Sequence, residues 1–454
     1  MKKIVGKLIA IGLIASTAMF AVTGCGAAAE KKTEGAVSEK ASADTAKQTD
    51  VDTVSGEKVK IYYPTYRVGA HASAAAEKEI LDAFNKQYGD KIELVVEELP
   101  SDQAYVEKMK VLAASNDLPD IVEGKNGVLE LAIQNGQATD LLSYVEEDSA
   151  YKAEIGEDAI GASMRDGKLY NIPYASQLIG YFYNKDLFAK AGVSPAKNWD
   201  EFMSNCEKLK ANGITPLALM TGENAWTTNL ILASIIGTDG EEGNTFMNTK
   251  NATSYDNSSV IKGLTMVQKM LKEYTTSDAV GGIYANAANN FSQENTAMIA
   301  NGPWMTPDFS DPEKSKPGLD KRVGVALFPE DGIVSQFEIG FMICTKDQAK
   351  MDAALTFLKF RTGAYAQQVM LEKAGALPLT ANIEMSEDYK SKNPLIGELI
   401  KLGGAAKYKY SNLDNTAFSS VIDTFAVNYP ELTLGSLTPE DMAKKMTEAA
   451  AKNK

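Results

Sequence analysis

Residues 166–213 read DGKLYNIPYASQLIGYFYNKDLFAKAGVSPAKNWDEFMSNCEKLKANG, the most heavily punctuated stretch of the chain. Asp166-Gly167 suits a tight turn with positive φ between two short strands. Leu178 to Tyr183 is strand-like. Asn184 is placed to cap a helix whose Leu187, Phe188 and Ala191 share one face, and Gly192 stands where a left-handed C-terminal residue belongs. Asn198 and Glu201 have the spacing of a second helix's capping box. Trp199, Phe202, Met203, Cys206 and Leu209 form its apolar stripe, and Gly213 ends it. One strand therefore feeds two well-bounded helices.

Outward from this stretch, the 454 residues exceed what a single ordinary core holds, so two or more domains are expected. With 60 acidic against 46 basic side chains and no basic tract, the chain is not built for nucleic acid. The three cysteines, Cys25, Cys206 and Cys344, have no metal-ligand spacing and cannot form a disulfide framework. Buried thiols are favoured for Cys206 and Cys344, with a single disulfide between them left open. No cofactor or metal site is expected.

Lys2, Lys3 and Lys7 precede an apolar run from Leu8 to Val22, the pattern of a secretory signal peptide. Its end, Ala21-Val22-Thr23-Gly24-Cys25, resembles the bacterial lipobox. That resemblance implies cleavage after residue 24 and lipid attachment at Cys25. Residues 25–56 are Ala, Lys, Glu, Ser, Thr and Asp with almost no large apolar side chain, and read as a flexible tether.

In the body, Val59 to Tyr63 and Ile92 to Val96 are apolar runs suited to buried strands. Helical patterns follow at Ile80 to Phe84 and Asp102 to Ala114, then a short strand at Asp120 to Glu123. This β-α-β-α-β order predicts a mostly parallel sheet covered by helices, with ligands beyond the strand ends. Further on, the patterns predict helices at 259–274, near 291–299 and at 350–372, strands at 323–328 and 339–344, and a surface loop at 308–321. A last helix opens at Thr438-Pro439-Glu440.

Several short motifs recur in order: Leu118-Pro119-Asp120-Ile121-Val122, Asp166 to Tyr170 with Ile172-Pro173-Tyr174, Tyr183 to Phe188, Trp199-Asp200-Glu201-Phe202, Ala297-Met298 with Asn301-Gly302-Pro303-Trp304, Ala374 to Pro378, and Leu437 to Glu440. Together they resemble the family 1 extracellular solute-binding proteins, the carbohydrate receptors of ABC importers that include the maltose-binding type. Two positions depart from the family pattern: Glu294-Asn295 stands where Gly-Lys is usual, and Asn198 replaces a threonine. The resemblance implies an α/β, two-lobed periplasmic-binding-protein-like fold of type II, each lobe a mostly parallel sheet flanked by helices, with the ligand cleft between lobes. Lobe 1 is expected at 57–177 plus 335–376 and lobe 2 at 178–334 plus 377–454. Crossings are expected near 176–180, 331–336 and 376–379, closing on ligand by a hinge. It further implies a monomeric, lipid-anchored receptor outside the cell membrane, with permease subunits and a separate ATPase as partners. No Walker A loop is present in this chain.

A sugar needs flat aromatics for its C–H faces and planar polar groups for its hydroxyl rim. Trp304, after Gly-Pro, falls on a tryptophan that stacks on sugar in maltose-binding-type relatives; the competing reading is a core residue. Trp226 is the second candidate, against a helix-packing role, while Trp199 belongs to a core stripe. Gln177 sits at the first hinge. Tyr66 and Arg67 follow the first strand, Glu98 the second and Asn126 the third, and Glu338 reaches in from the return crossing. For Arg67 and Glu338 a solvated surface position is the alternative. His71 is a candidate rim contact. A receptor for a non-sugar solute such as a glycerol phosphodiester would need several cleft cations, of which Arg67 and Lys125 are the only ones placed. An exported glycosidase would need a carboxylate pair that nothing in the sequence marks.

Overall fold

The computed structural model describes residues 57–453. The leader, Cys25 and the tether lie outside them. Its strands are β1 (Val59–Thr65), β2 (Ile92–Glu98), β3 (Ile121–Glu123), β4 (Met164–Arg165), β5 (Lys168–Leu169), β6 (Ser176–Asn184), β7 (Thr215–Leu217), β8 (Thr296–Asn301), β9 (Val323–Ala326), β10 (Gly332–Phe337), β11 (Phe341–Ile343) and β12 (Tyr408–Tyr410).

Two large apolar cores organise these strands. The first gathers Ile61, Tyr63, Phe84, Ile121, Tyr174, Phe341 and Phe357, and the second Ile179, Phe202, Leu232, Leu264, Phe425 and Met446. The chain leaves the first between Ala175 and Ile179, returns between Val334 and Phe341, and leaves again after Leu379. These three passages lie side by side. Ser176 is opposite Phe337 in an antiparallel ladder, bridges to Leu377, and donates from Oγ to the Pro378 carbonyl at 2.8 Å.

Beyond the passage, β6 becomes the middle of a sheet ordered β12-β10-β6-β8-β7, with β9 also on β6. Its first residues pair with β10, and from Gly180 onward it pairs with β8 and β9. A Cβ on Gly180 would lie 2.3 Å from the Ala326 carbonyl oxygen, so only glycine fits where partners change. Strand directions are more mixed than the helix–strand alternation predicted. β1–β2, β7–β8 and β10–β12 are parallel, but β3–β11 and all other pairings of β6 and β10 are antiparallel. The reason is connectivity: a strand that passes between cores and one that returns must run in opposite senses.

The local signals of the opening stretch hold. Asp166 (φ 50°) and Gly167 (φ 75°) turn the β4–β5 hairpin. Asn184 Oδ1 accepts from the Asp186 and Leu187 amides at 3.0 Å, and Gly192 closes that helix at φ 65°. Asn198 accepts from the Glu201 amide, whereas the Glu201 carboxylate bonds the Lys197 amide rather than that of Asn198. Trp199 is buried, its indole N–H donating to Thr238 Oγ1 at 2.8 Å.

Three expectations are corrected. The helix near 291–299 is instead the end of a helix, Tyr284–Ser292, followed by the strand β8. All six β8 residues are buried between neighbouring strands, so its apolar run has no readable period. The helix at 350–372 is two, Gln348–Thr362 and Ala364–Ala374, separated by extended Gly363. Glu154 Oε2 accepts from the Ala364 amide there, capping the second from outside. The 308–321 loop is bracketed by a 3-10 turn, Pro303–Ser310, and a short helix, Leu319–Arg322. Cys206 and Cys344 are both free and buried, in different apolar clusters.

Candidate ligand-binding site

At the end of β1, Tyr66 and Arg67 turn inward. Arg67 forks onto Glu123, the last residue of β3, with Nε to Oε2 at 2.9 Å and Nη2 to Oε1 at 2.6 Å. Arg67 is 5% exposed and Glu123 2%, which rules out a solvated surface arginine. The guanidinium also lies 4.7 Å above the Tyr174 ring and 4.9 Å from that of Tyr66. Burial would raise the Glu123 carboxyl, but the Arg67 charge and hydrogen bonds hold it below its ordinary value.

Lys125 extends this wall. Its Nζ donates to Asp102 Oδ2 at 2.5 Å and Tyr66 Oη at 3.0 Å. Burial pulls its ammonium down in pKa, yet Asp102, Glu123 and Glu338 push it above the lysine norm. His71 stands edge-on to Tyr66, centroids 5.1 Å apart, and its Nδ1 accepts from the Ser73 amide at 3.1 Å. Burial first, then the Arg67 and Lys125 charges, lower it to about 3, so the ring is neutral.

On the passage between cores, Gln177 Nε2 donates to Glu338 Oε1 at 2.5 Å. Its own Oε1 accepts from Gln336 Nε2 at 2.5 Å, and Gln336 Oε1 accepts from the Asn412 amide at 2.7 Å. Glu338 is half-buried, and burial raises its carboxyl despite the pull of Arg67 and Lys125.

The facing wall is aromatic. Trp226 opens the helix Trp226–Gly237, and its ring lies 5.8 Å from that of Trp304 and 5.9 Å from Tyr284. Both tryptophans are half-buried, neither sealed in a core nor free in solvent. Gly375 and Pro303 touch: a Cβ there would come 2.8 Å from the Pro303 carbonyl, so the Trp304 loop presses against the 374–378 segment. Asp414 Oδ2 accepts at 3.1 Å from Nδ2 of Asn224, two residues before Trp226. Burial raises the Asp414 carboxyl to about 7; Lys125 opposes this and Asp102 and Glu338 add to it. Glu223 is raised too, by burial. Asp102 Oδ1, Asn412 Nδ2 and Asp414 Oδ1 are buried without a hydrogen-bonding partner among the described residues.

Among the candidates from sequence, Tyr66 and Arg67 thus join a network with Glu123 and Lys125, Gln177 and Glu338 join a second that feels the Arg67 and Lys125 charges, and Trp226 and Trp304 pair on the other side. Glu98 stands apart, exposed against Gly69, outside the Glu123 network. Asn126 is half-buried in a left-handed turn (φ 49°), and the Gly127 after it abuts Ser419. Sequence reasoning missed Asp102, Glu123, Tyr284, Asn412 and Asp414. Glu123, at the end of a strand legible in the sequence, and Asn412, a helix-cap residue type, carried a local signal.

The sequence profile of the bacterial extracellular solute-binding proteins matches residues 79–396. The chain belongs to this family. As a solute-binding protein it is extracytoplasmic, and its family members are binding proteins rather than enzymes. It is 25% identical over 348 residues to the multiple sugar-binding protein of Streptococcus mutans serotype c (strain ATCC 700610 / UA159), covering 74% of this chain and 78% of that protein. The sn-glycerol-3-phosphate-binding periplasmic protein of Brucella melitensis biotype 1 (strain ATCC 23456 / CCUG 17765 / NCTC 10094 / 16M) is 26% identical over 245 residues, 51% of this chain and 54% of that one. A solved chitin oligosaccharide binding protein superposes with a TM-score of 0.77 at 22% identity, covering 87% of this chain and 99% of its own. The solute-binding protein therefore has the two-lobed type II fold, and among its described residues no helix is long and apolar enough to cross a membrane.

Proposed function

We propose that this solute-binding protein captures a mono- or oligosaccharide between its lobes and delivers it to an ABC permease. One observation carries the reading: half-buried Trp226 and Trp304 pair, and Asn224, two residues before Trp226, donates to Asp414, whose other oxygen, like Asn412 Nδ2, is buried without a partner among the described residues. Flat rings next to unmatched donors and acceptors suit a ligand with C–H faces and a hydroxyl rim. Tyr66, Arg67, Asn126, Gln177 and Glu338 complete the proposed contacts, with Glu98 at the margin. The lobes divide at 57–177 plus 335–376 and 178–334 plus 377–454. The chain is a monomer, performs no catalysis of its own, and is held at the membrane by lipid on Cys25.

The glycerol phosphodiester alternative draws support from the Brucella relative. It is disfavoured because Arg67 and Lys125 are already engaged by Glu123 and Asp102. Calorimetry against a saccharide panel and glycerol-3-phosphate tests the choice. Binding of a saccharide is expected; binding of glycerol-3-phosphate alone would replace the carbohydrate reading.

A further inference from the structure

The cleft's charges do not balance. Its two cations are each matched: Arg67 by Glu123 at 2.6 Å and Lys125 by Asp102 at 2.5 Å. Three further carboxylates belong to the same electrostatic neighbourhood, Glu223, Glu338 and Asp414, and their contacts are neutral. Glu223 accepts from the Tyr284 amide, Glu338 from the Gln177 amide group and Asp414 from that of Asn224. Each feels a cation already spent on another carboxylate. Two further cations at its edge, Arg361 and Lys314, are likewise paired, with Glu77 and Asp308, and His71 is neutral.

A second observation says that these groups face a ligand. Asn412 is 0% exposed with an unpartnered amide nitrogen, and two residues on, Asp414 keeps Oδ1 buried and unpartnered, as does Asp102 across the cleft. Buried polar atoms are mostly paired, and these lie on Asp102 and Asp414, whose charges act on one another, and on nearby Asn412, where a ligand can complete them. Two of the three are carboxylate oxygens, which accept and never donate when ionised. The missing partner must therefore bring donors to the two carboxylates and an acceptor to Asn412 Nδ2, as a hydroxyl does.

We propose that the cleft selects its saccharide by charge: it takes neutral and ammonium-bearing sugars and rejects uronic acids and sugar phosphates, with Asp414 and Glu338 as the discriminating residues. This rests on the carbohydrate reading and names the class of sugar within it. Above about pH 7, where Asp414 is ionised, an anionic ligand would meet like charge in a site where solvent screens little, whereas a hydroxyl or ammonium would supply what Asp414 Oδ1 lacks.

The test uses the neutral saccharide that binds best in a panel of glucose, galactose, mannose and N-acetylglucosamine oligomers, together with its C6-amino and C6-carboxylate derivatives. Calorimetry reads the three affinities. The amino derivative should bind about 100-fold or more tighter than the carboxylate, since both perturb the same carbon and differ in charge. D414N and E338Q should each shrink that ratio about tenfold, whatever each does to the affinity for the neutral sugar, because the ratio compares ligands within one variant. A ratio near one, or one that neither substitution changes, overturns the proposal and leaves the carbohydrate reading standing. Binding of no saccharide of any charge overturns both. Thermal denaturation of each variant checks that it is folded, and E338Q stands as the second probe if D414N is not.

Discussion

On one wall of the cleft, Arg67 and Lys125 are each gripped by a carboxylate, and Tyr66 and Tyr174 pack against the guanidinium. On the other, Trp226, Trp304 and Tyr284 present rings, and Asp414 keeps one oxygen unmatched. The first wall has settled its electrostatics internally and is held rigid by it. The second has left its polar groups open. Rigidity on one side and unmet hydrogen bonds on the other make a site that is preorganised yet still has something for a ligand to complete.

Removing the partner of a buried charge should show this contrast most strongly. E123A leaves the Arg67 guanidinium buried and unpaired, and should lower stability by about 3–5 kcal/mol in chemical denaturation. W304A breaks the other wall and should leave stability nearly unchanged while weakening saccharide binding by about 2 kcal/mol, roughly thirtyfold, in calorimetry. If W304A unfolds the protein instead, Trp304 is a core residue and the contrast fails.

Acid should destabilise the first wall through His71. Below pH 6.5 the unfolded chain protonates His71 while the folded ring stays neutral down to about 3. Unfolding is then favoured progressively between those values, by up to about 1.4 kcal/mol per pH unit. H71Q should flatten that part of the stability profile measured from pH 7 to 4. The smallest effect belongs to the rim, where Lys110 Nζ meets Asp423 Oδ1 at 3.0 Å between helices that contribute to separate apolar clusters. With Asp423 largely exposed, K110A should change ligand affinity by no more than about 1 kcal/mol, and less in high salt.

What could be read ahead of the structure follows the range of the forces involved. The Asn184 and Asn198 caps, the Asp166-Gly167 turn and the stripe carrying Trp199 act within a few residues, and each was legible. The strand β8 was not, because a run buried on both faces has no period to separate strand from helix. Nor was the interruption at Gly363, capped by Glu154 from a different part of the chain.

The site divides in the same way. Gln177 and Glu338 were found because they flank the passages between cores, and Tyr66 and Arg67 because they end a recognisable strand. Their meaning was hidden: that Arg67 is neutralised depends on Glu123, 56 residues away. Asp414 gave no sequence signal at all, and its neighbour Asn224 lies 190 residues earlier.

The sequence alone determined the local turns and caps and the alternation that makes the chain α/β, because these depend on backbone preference and short-range hydrogen bonding. Only the tertiary structure decided which cations are spent and which carboxylates are left unmatched. Charge pairing in a low-dielectric cleft is set by distances of a few ångströms between residues far apart in the chain, and no local pattern encodes those distances.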